Sequence, residues 1–222
     1  MNVSHSGFLL HVRKYKETSS IINIFSRNKG IESLIFRGSF TNKDKFKFSL
    51  FNEYLFSYND KYSFPYLSKF EIINSFSFDK KYYLLGLYVN ELLYKTMREG
   101  YDYEKIYEYY KSFLVHLSNS SSSLKRLALV FEKNFIDNLG YGLYMLNDKD
   151  INDNLLYSYD FDEGFKISDS AQNKYSLPGR ALRQFFSNTL EDNIHIDIIR
   201  LIIKRILNRH YENINLMGDK SF

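Results

Sequence analysis

The residues whose chemistry is most concentrated in this sequence are the basic ones in the first fifth of the chain. Nine lysines and arginines lie between Met1 and Lys47 against three acidic residues, a net charge of +6, while the remaining residues sum to −2. Cationic side chains gathered on one surface bind phosphates, and each phosphate that they neutralise adds a salt-dependent increment to affinity. The residues predicted to contact phosphates are Arg13, Lys14, Arg27, Lys29, Arg37, Lys43, Lys45 and Lys47.

A second set of basic residues lies beside apolar helix positions in the second half of the chain. Two interpretations of this set stay open. One is an ordinary solvated helix face, and the other is a pocket for an acidic peptide with an apolar end. The residues of the predicted pocket are Lys125, Arg126, Phe131 and Arg205.

Motifs for catalysis or metal binding are missing from the sequence. It has no cysteine, which excludes disulfides and thiolate zinc sites. It has no glycine-rich phosphate loop, no paired histidines and no serine in a nucleophile elbow. The acidic residues of 160–163 could hold a cation, but we interpret them as a solvated turn. We therefore expect no enzymatic activity, cofactor, metal or small-molecule substrate, and a nuclease with distant catalytic groups stays as a third hypothesis.

The composition is that of an ordinary globular protein. No apolar run approaches the roughly 20 residues that span a bilayer, and residues 1–7 lack the apolar core of a signal peptide. We therefore expect a cytoplasmic protein without membrane contact. Aromatic residues make up 18% of the chain, all of them Phe or Tyr, and abundant Ile, Asn and Lys accompany them, as in products of AT-rich genomes. The aromatic count alone therefore does not indicate base stacking.

The elements that must position the first basic cluster are strands. Short apolar or β-branched segments predict strands over 8–12, 21–25, 31–36, 54–58 and 67–73. Five short strands in about 75 residues indicate a small closed barrel, and the OB-fold is the commonest barrel of that size. Three of the predicted phosphate contacts, Lys43, Lys45 and Lys47, fall in a polar connection before the fourth strand.

After residue 78 the hydrophobic period changes to that of helices. Helices are predicted over 80–97, 103–117, 124–139 and 194–211, and another is predicted to begin at Pro178. Between them, residues 144–177 are acidic and contain two strand-like segments, 155–161 and 164–167. The predicted fold is α+β, with four segments: a five-stranded OB-fold β-barrel (1–78), the first part of a helical domain (79–143), a small insert (144–177) and the last part of the helical domain (178–222).

Four motifs give the chain a resemblance to a known family. They recur in order and at family-like separations over nearly the whole sequence, and together they resemble the RecO family of bacterial recombination mediators. The motifs are Gly7-Phe8-Leu9-Leu10-His11-Val12-Arg13 with Tyr15-Lys16-Glu17-Thr18-Ser19, Leu34-Ile35-Phe36-Arg37-Gly38, Gly86-Leu87-Tyr88-Val89-Asn90-Glu91-Leu92-Leu93, and Leu139-Gly140-Tyr141-Gly142.

The resemblance implies an OB-fold, a helical domain and a zinc-finger-like insert. It implies binding of single- and double-stranded DNA by the basic cluster, annealing of complementary strands, and nucleoid association in bacteria. It also implies that the predicted pocket contacts the acidic C-terminal tail of the single-strand-binding protein SSB. With RecR, such a protein helps to load RecA onto SSB-coated DNA. The alternative is a protein-binding adaptor whose barrel has lost most DNA affinity.

The sequence departs from the family pattern at three places. The insert lacks the four zinc-binding cysteines of some members, so it must hold its shape without that metal. Phe40 stands where the family has a second basic residue, and residues 213–222 replace the usual basic tail. Weaker DNA binding and greater reliance on partners are therefore expected.

Overall fold

The computed structural model describes residues 2–37, 48–61, 63–119, 123–144, 151–168, 173–211, 214 and 216. These residues form two compact units. The first contains five strands and two helices, and the second contains three helices and three short strands. Lys43, Lys45, Lys47 and Phe40 lie outside the described residues.

The first unit begins with a closed barrel that confirms the five predicted strands. The strands are β1 (Asn2–Lys16), β2 (Ser19–Ser26), β3 (Gly30–Arg37), β4 (Glu53–Asn59) and β5 (Leu67–Asn74). Neighbouring strands in the order β3-β2-β1-β4-β5 all pair antiparallel. A parallel bridge between Ile35 and Tyr66 joins the two outer strands, with Ile35 N–H donating to the Pro65 carbonyl at 2.9 Å. This order and closure are those of the OB-fold, as predicted.

Strand β1 is long because it serves two partners. Its first half pairs with β4 and its second half with β2, and both pairings include Gly7 and Phe8. A register shift between Leu9 and His11 places one extra residue, Leu10, opposite β2. Leu9 and Leu10 are both buried, and Leu9 belongs to the hydrophobic core of the barrel.

Two helices pack on the outer face of this strand pair, and their residues explain one of the family-like motifs. They are α1 (Lys80–Thr96) and α2 (Glu104–Asn119). Phe8 and Phe25 contact the rings of Tyr107 and Tyr110 on α2. Asn90 of the α1 motif is buried; it accepts a hydrogen bond from Tyr110 Oη at 2.5 Å and donates one to the Leu10 carbonyl. The motif therefore fastens both helices to the bulge in β1.

The second unit is built around a helix pair joined by a buried ion pair. Glu132 of α3 (Leu124–Asn138) accepts hydrogen bonds from Arg200 of α5 (Asn193–His210), the shortest at 2.8 and 2.9 Å, and both side chains are buried. A buried pair of this geometry fixes the register of two helices because either charge alone would be strongly unfavourable. The elements are α3 (Leu124–Asn138), β6 (Leu156–Asp160), β7 (Gly164–Ile167), β8 (Ser176–Pro178), α4 (Gly179–Phe186) and α5 (Asn193–His210).

The acidic insert forms a small antiparallel sheet in the order β7-β6-β8. Its core is aromatic: Tyr159 packs edge-on against Phe161 and Phe165, and Phe161 packs edge-on against Tyr175. The insert contains no cysteine, and these ring contacts form its core. In the part of the chain that the structure describes, no helix is both long and apolar enough for a membrane span.

Candidate nucleic-acid interface

Four basic residues lie together at one end of the barrel, where β1 and β3 finish and β2 begins. We call Arg13, Lys14, Lys16 and Arg37 the basic strand end. Strand pairing sets Lys16 and Arg37 on either side of Ser19, and Arg13 opposite Ile21. Because Ser19 and Ile21 are two residues apart, their side chains and those of their partners share one face of the sheet. Lys14, opposite Ser20, belongs to the other face.

The basic strand end faces solvent. All four of its side chains are exposed, and within the described residues none has a carboxylate within ion-pair distance. Exposed cations without an internal counter-ion keep their field available for an external anion. This surface is therefore the part of the barrel best suited to bind phosphates.

Arg27, at the opposite end of the same strands, has internal partners. It follows β2 in the turn before β3, and its guanidinium pairs with Glu104 at 3.0 Å and Glu108 at 2.8 Å, both on α2. Each ion pair is solvent-exposed and therefore individually weak. Together they nevertheless leave Arg27 with no excess positive charge to offer a phosphate.

Lys29, in the same turn, also faces an internal carboxylate. Its ammonium lies 3.8 Å from Glu32 and donates to Tyr58 Oη at 3.3 Å. Glu32 is buried and accepts hydrogen bonds from the hydroxyls of Tyr58 and Ser26. Burial and the neighbouring Glu32 carboxylate raise the pKa of Tyr58 far above its usual value, so this phenol stays a donor.

A cavity of about 310 Å³ opens beside this turn. Its lining includes the Lys29, Glu32 and Tyr58 group, and two further carboxylates, Asp60 and Glu99. Three acidic side chains around one lysine give a surface that repels phosphate. The turn end and the basic strand end are thus opposite in charge.

Backbone geometry explains why the turn is covered. Gly30 has a φ of +68°, and a Cβ at this position would lie 2.1 Å from the Arg98 carbonyl oxygen. Glycine therefore lets the segment after α1 approach the turn, where Gly30 bridges to Glu99 and Gly100 N–H donates to the Lys29 carbonyl at 2.9 Å. That approach brings α2, with its carboxylates, over the turn.

The structure therefore separates the predicted phosphate contacts. Arg13, Lys14 and Arg37 lie together, whereas Arg27 and Lys29 lie about 20 Å away, since seven strand residues at roughly 3.3 Å each intervene. Lys16, which was not among the predicted contacts, joins the first group. The sequence indicated a role for Lys16 only through its position two residues after Lys14. The register shift that places Lys16 on the same face as Arg13 could not be predicted from the sequence.

Another cation of the first unit, Lys111, neutralises an internal carboxylate, Glu53. Glu53 is buried; Lys111 pairs with it at 2.8 Å, while Tyr107 and Asn74 donate to it at 2.7 and 2.6 Å. Burial alone would raise the pKa of Glu53, but these three partners outweigh it and hold that pKa below its usual value.

The predicted peptide pocket is occupied by internal contacts. Lys125 pairs with Asp197 at 2.6 Å and Arg126 with Glu191 at 2.8 Å, while Phe131 is buried at 3% exposure. Arg205 lies elsewhere, with its guanidinium beside the rings of Phe161 and Tyr175 and donating to the Tyr175 hydroxyl. The structure brings Lys125 and Arg126 together beside exposed carboxylates and gives Arg205 a role in the insert.

The acidic residues of the turn before Gly164 are likewise engaged with cations. Lys166 contacts Asp160 at 3.2 Å and Glu163 at 2.9 Å, and Arg209 pairs with Asp162 at 3.0 Å. No grouping of three or more His, Cys, Asp or Glu side chains suited to a metal ion occurs among the described residues.

The chain combines a closed OB-fold barrel, which has an exposed cationic strand end, with a helical unit that carries a small β insert. This combination is that of an OB-fold protein with a candidate phosphate-binding surface. Comparisons with known proteins give the family. Family models described as "Recombination protein O N terminal" and "Recombination protein O C terminal" match residues 1–76 and 77–217. The chain belongs to the RecO family of DNA repair proteins.

Three similar proteins are each described as a DNA repair protein RecO. The chain is 26% identical over 210 residues to a DNA repair protein RecO of Coxiella burnetii (strain RSA 493 / Nine Mile phase I), covering 91% of this chain and 90% of the relative. It is 25% identical over 188 residues to that of Actinobacillus pleuropneumoniae serotype 5b (strain L20), covering 82% and 78%. It is 27% identical over 201 residues to that of Sodalis glossinidius (strain morsitans), covering 87% and 76%.

Proposed function

We propose that this protein is a recombination mediator that binds single- and double-stranded DNA, anneals complementary strands and acts without catalytic turnover. With RecR, it would help to load RecA onto SSB-coated single strands in the bacterial cytoplasm, at the nucleoid. Membership of a DNA repair family supports this proposal. The observation that carries it is the basic strand end, four exposed cations on an OB-fold barrel with no carboxylate partner among the described residues.

The basic strand end explains binding by charge and geometry. Three of its side chains share a face of the sheet, Arg13 and Lys16 on β1 and Arg37 on β3, with β2 between these strands. Strands in a sheet are about 4.8 Å apart, so the cations of β1 and β3 are roughly 10 Å apart and form one patch of positive charge that can contact several phosphates of a strand. Lys43, Lys45 and Lys47, which lie outside the described residues, stay predicted phosphate contacts from the sequence.

A salt titration of binding to labelled single-stranded DNA tests the proposal. If three or four phosphates are neutralised, the logarithm of the association constant falls with the logarithm of salt with a slope of roughly −2 to −3. A slope near zero would contradict phosphate contact. Annealing is then measured with complementary strands coated with SSB, where the protein is expected to accelerate duplex formation.

The second part of the proposal is an SSB tail that binds at Lys125 and Arg126. These cations already hold Asp197 and Glu191, so an acidic tail would replace those two carboxylates with its own. Both are exposed, which makes the exchange inexpensive in free energy. Since Phe131 is buried, the apolar end of the tail would have to contact other apolar side chains of this surface.

Binding of a fluorescent peptide with the SSB tail sequence tests that exchange. Lys125→Glu with Arg126→Glu is expected to abolish binding, whereas Arg209→Ala, which removes another exposed ion pair of the same unit, is expected to leave it unchanged. Equal peptide binding by both variants would refute the assignment.

The alternative function, a protein-binding adaptor, is favoured by one observation. Two of the predicted phosphate contacts, Arg27 and Lys29, have internal acidic partners. An adaptor would bind RecR and SSB normally while showing no salt-dependent affinity for DNA. The titration described above therefore separates the two functions.

A further inference from the structure

We propose that Tyr15 and Tyr66, supported by Phe64, are a stacking platform for unpaired bases and make the basic strand end selective for single-stranded DNA. This inference rests on the proposed function, because it assigns a second kind of contact to the same DNA-binding surface. The three rings together are called the aromatic strip below.

Tyr66 lies directly beside the predicted phosphate contacts. Tyr66 forms the bridge to Ile35 that closes the barrel. The Arg37 guanidinium lies over the Tyr66 ring, 4.1 Å from the ring centroid. Such a stack orients the guanidinium and the ring together. Tyr66 nevertheless remains 40% exposed, a large fraction for an aromatic side chain at a barrel closure.

Tyr15 occupies the register shift between Lys14 and Lys16 at the end of β1. A residue at such a shift is unpaired in the ladder, and its side chain is turned out of the regular alternation. Tyr15 is 45% exposed, with the Lys16 ammonium 5.3 Å from its ring centroid. Phe64 packs edge-on against it, with centroids 6.2 Å apart and planes at 82°.

Each exposed tyrosine of the strip is thus paired with an exposed cation of the basic strand end. A nucleotide of a single strand presents both a charged phosphate and a free base face, and this pairing complements both at once. In a duplex the base faces are stacked on one another and only the phosphates remain accessible. The tyrosines therefore add affinity for single strands, while the cations serve both forms.

The composition of the remaining surface supports a nucleic-acid occupant over a protein one. The β1–β2 connection, Glu17-Thr18, contributes one carboxylate against four cations of the strand end. Exposed rings that each contact a cation match a chain that alternates bases and phosphates.

The experiment compares three oligonucleotides of equal length with the full protein: a single strand, a duplex and a single strand whose bases have been replaced by abasic sites. The test variant is Tyr15→Ala with Tyr66→Ala. The matched control is Tyr101→Ala with Tyr109→Ala, which removes two tyrosines that are also exposed. A second control, Tyr15→Phe with Tyr66→Phe, keeps the rings, and thermal unfolding shows whether each variant is folded.

The test variant is expected to lose roughly 10- to 100-fold affinity for the single strand and less than about threefold for the duplex. Its affinity for the abasic strand should equal that of the unmodified protein, and both controls should bind all three as the unmodified protein does. Equal losses for single strand, duplex and abasic strand would overturn the stacking assignment and indicate a purely structural role for the rings. Unchanged binding would also overturn it, while leaving phosphate binding intact.

The two proposals fail differently. If the unmodified protein binds none of the three oligonucleotides, the DNA-binding function itself is refuted and the aromatic strip has no role in it. If it binds all three with salt-dependent but equal affinity, phosphate contact stands and base stacking does not.

Discussion

The two ends of the β2–β3 pair carry the same kinds of side chain in opposite electrostatic surroundings. Arg37, with Lys16 beside it, ends the pair in solvent, while Arg27 and Lys29 at the turn face Glu104, Glu108 and Glu32. The two ends differ in the segments of the chain that pack against them. The segment after α1 approaches the turn at Gly30, and α2 follows it with two carboxylates.

The comparison shows that a count of basic residues does not locate a phosphate-binding surface. The first of the two carboxylates that pair with Arg27, Glu104, is 77 residues further along the chain, outside any local window. Charge segregation in the sequence correctly indicates an excess of cations on the barrel, but the tertiary pairing decides which of them are available.

The largest effect is expected from removing the shared-face cations at the strand end. Arg13→Ala with Lys16→Ala and Arg37→Ala should weaken single-strand binding by roughly 100-fold at low salt and flatten the salt slope by about two, because three phosphates lose their partners. Fluorescence anisotropy at several salt concentrations measures both quantities.

A variant with the same charge change tests whether position or net charge matters. The triple variant that combines Lys80→Ala, Lys81→Ala and Lys105→Ala removes three exposed lysines from the helices of the first unit. We expect it to change affinity by less than about threefold. If both triple variants weaken binding equally, the strand end has no special role.

The next largest effect is expected at Glu53, a carboxylate that an internal cation neutralises. Glu53→Gln should lower the free energy of unfolding by about 2 kcal/mol at pH 7, because the Lys111 pair and charged hydrogen bonds are lost. The pKa of Glu53 is depressed in the folded protein, so its contribution is present above its ordinary value of 4.5 and is lost as pH falls through the folded pKa.

Denaturant unfolding of both proteins between pH 3 and 8 measures that prediction. The difference between unmodified protein and Glu53→Gln should be constant near neutrality and shrink in acid. DNA affinity at pH 7 should stay unchanged, and a pH-independent difference would mean that the carboxylate charge contributes little.

The architecture follows from the sequence more directly than the site does. All five barrel strands were predicted because β-branched and aromatic residues alternate between turns, although β1 begins earlier, in the mostly polar segment 2–6. Val3 is the one apolar residue of that segment, so the sequence shows no hydrophobic alternation there, and the pairing with β4 reveals the strand. Strand β8, three residues ending in Pro178, was missed since so short a segment has no period to detect.

The site required the tertiary structure. Three of the predicted contacts, Arg13, Lys14 and Arg37, share a barrel end because β1, β2 and β3 are neighbours, which an OB-fold prediction already implies. The exposure of Tyr15 and Tyr66 could not be predicted, since a chain with 18% aromatic residues has many rings in its core and the sequence does not distinguish them.

A smaller effect is expected at the turn end. Glu32→Gln removes the charge that faces Lys29 and one acceptor for the Tyr58 and Ser26 hydroxyls, so the free energy of unfolding should fall by about 1.5 kcal/mol. Because Lys29 then lacks its buried counter-ion, DNA affinity should rise slightly, by less than about threefold. A fall in affinity would place Glu32 on the DNA-binding side of the barrel.

The smallest effect is expected from Arg27→Ala, and it tests the comparison most directly. Its ion pairs with Glu104 and Glu108 are exposed, so their loss should cost less than about 1 kcal/mol of stability. DNA affinity and its salt slope should remain within error of the unmodified protein, because the guanidinium has no phosphate partner to lose. The same anisotropy titration measures it beside Arg37→Ala, which removes the same charge from the other end of the strands. Since the two variants differ only in which end loses an arginine, equal loss of affinity would show that both ends contact DNA and that the acidic partners of Arg27 release it on binding.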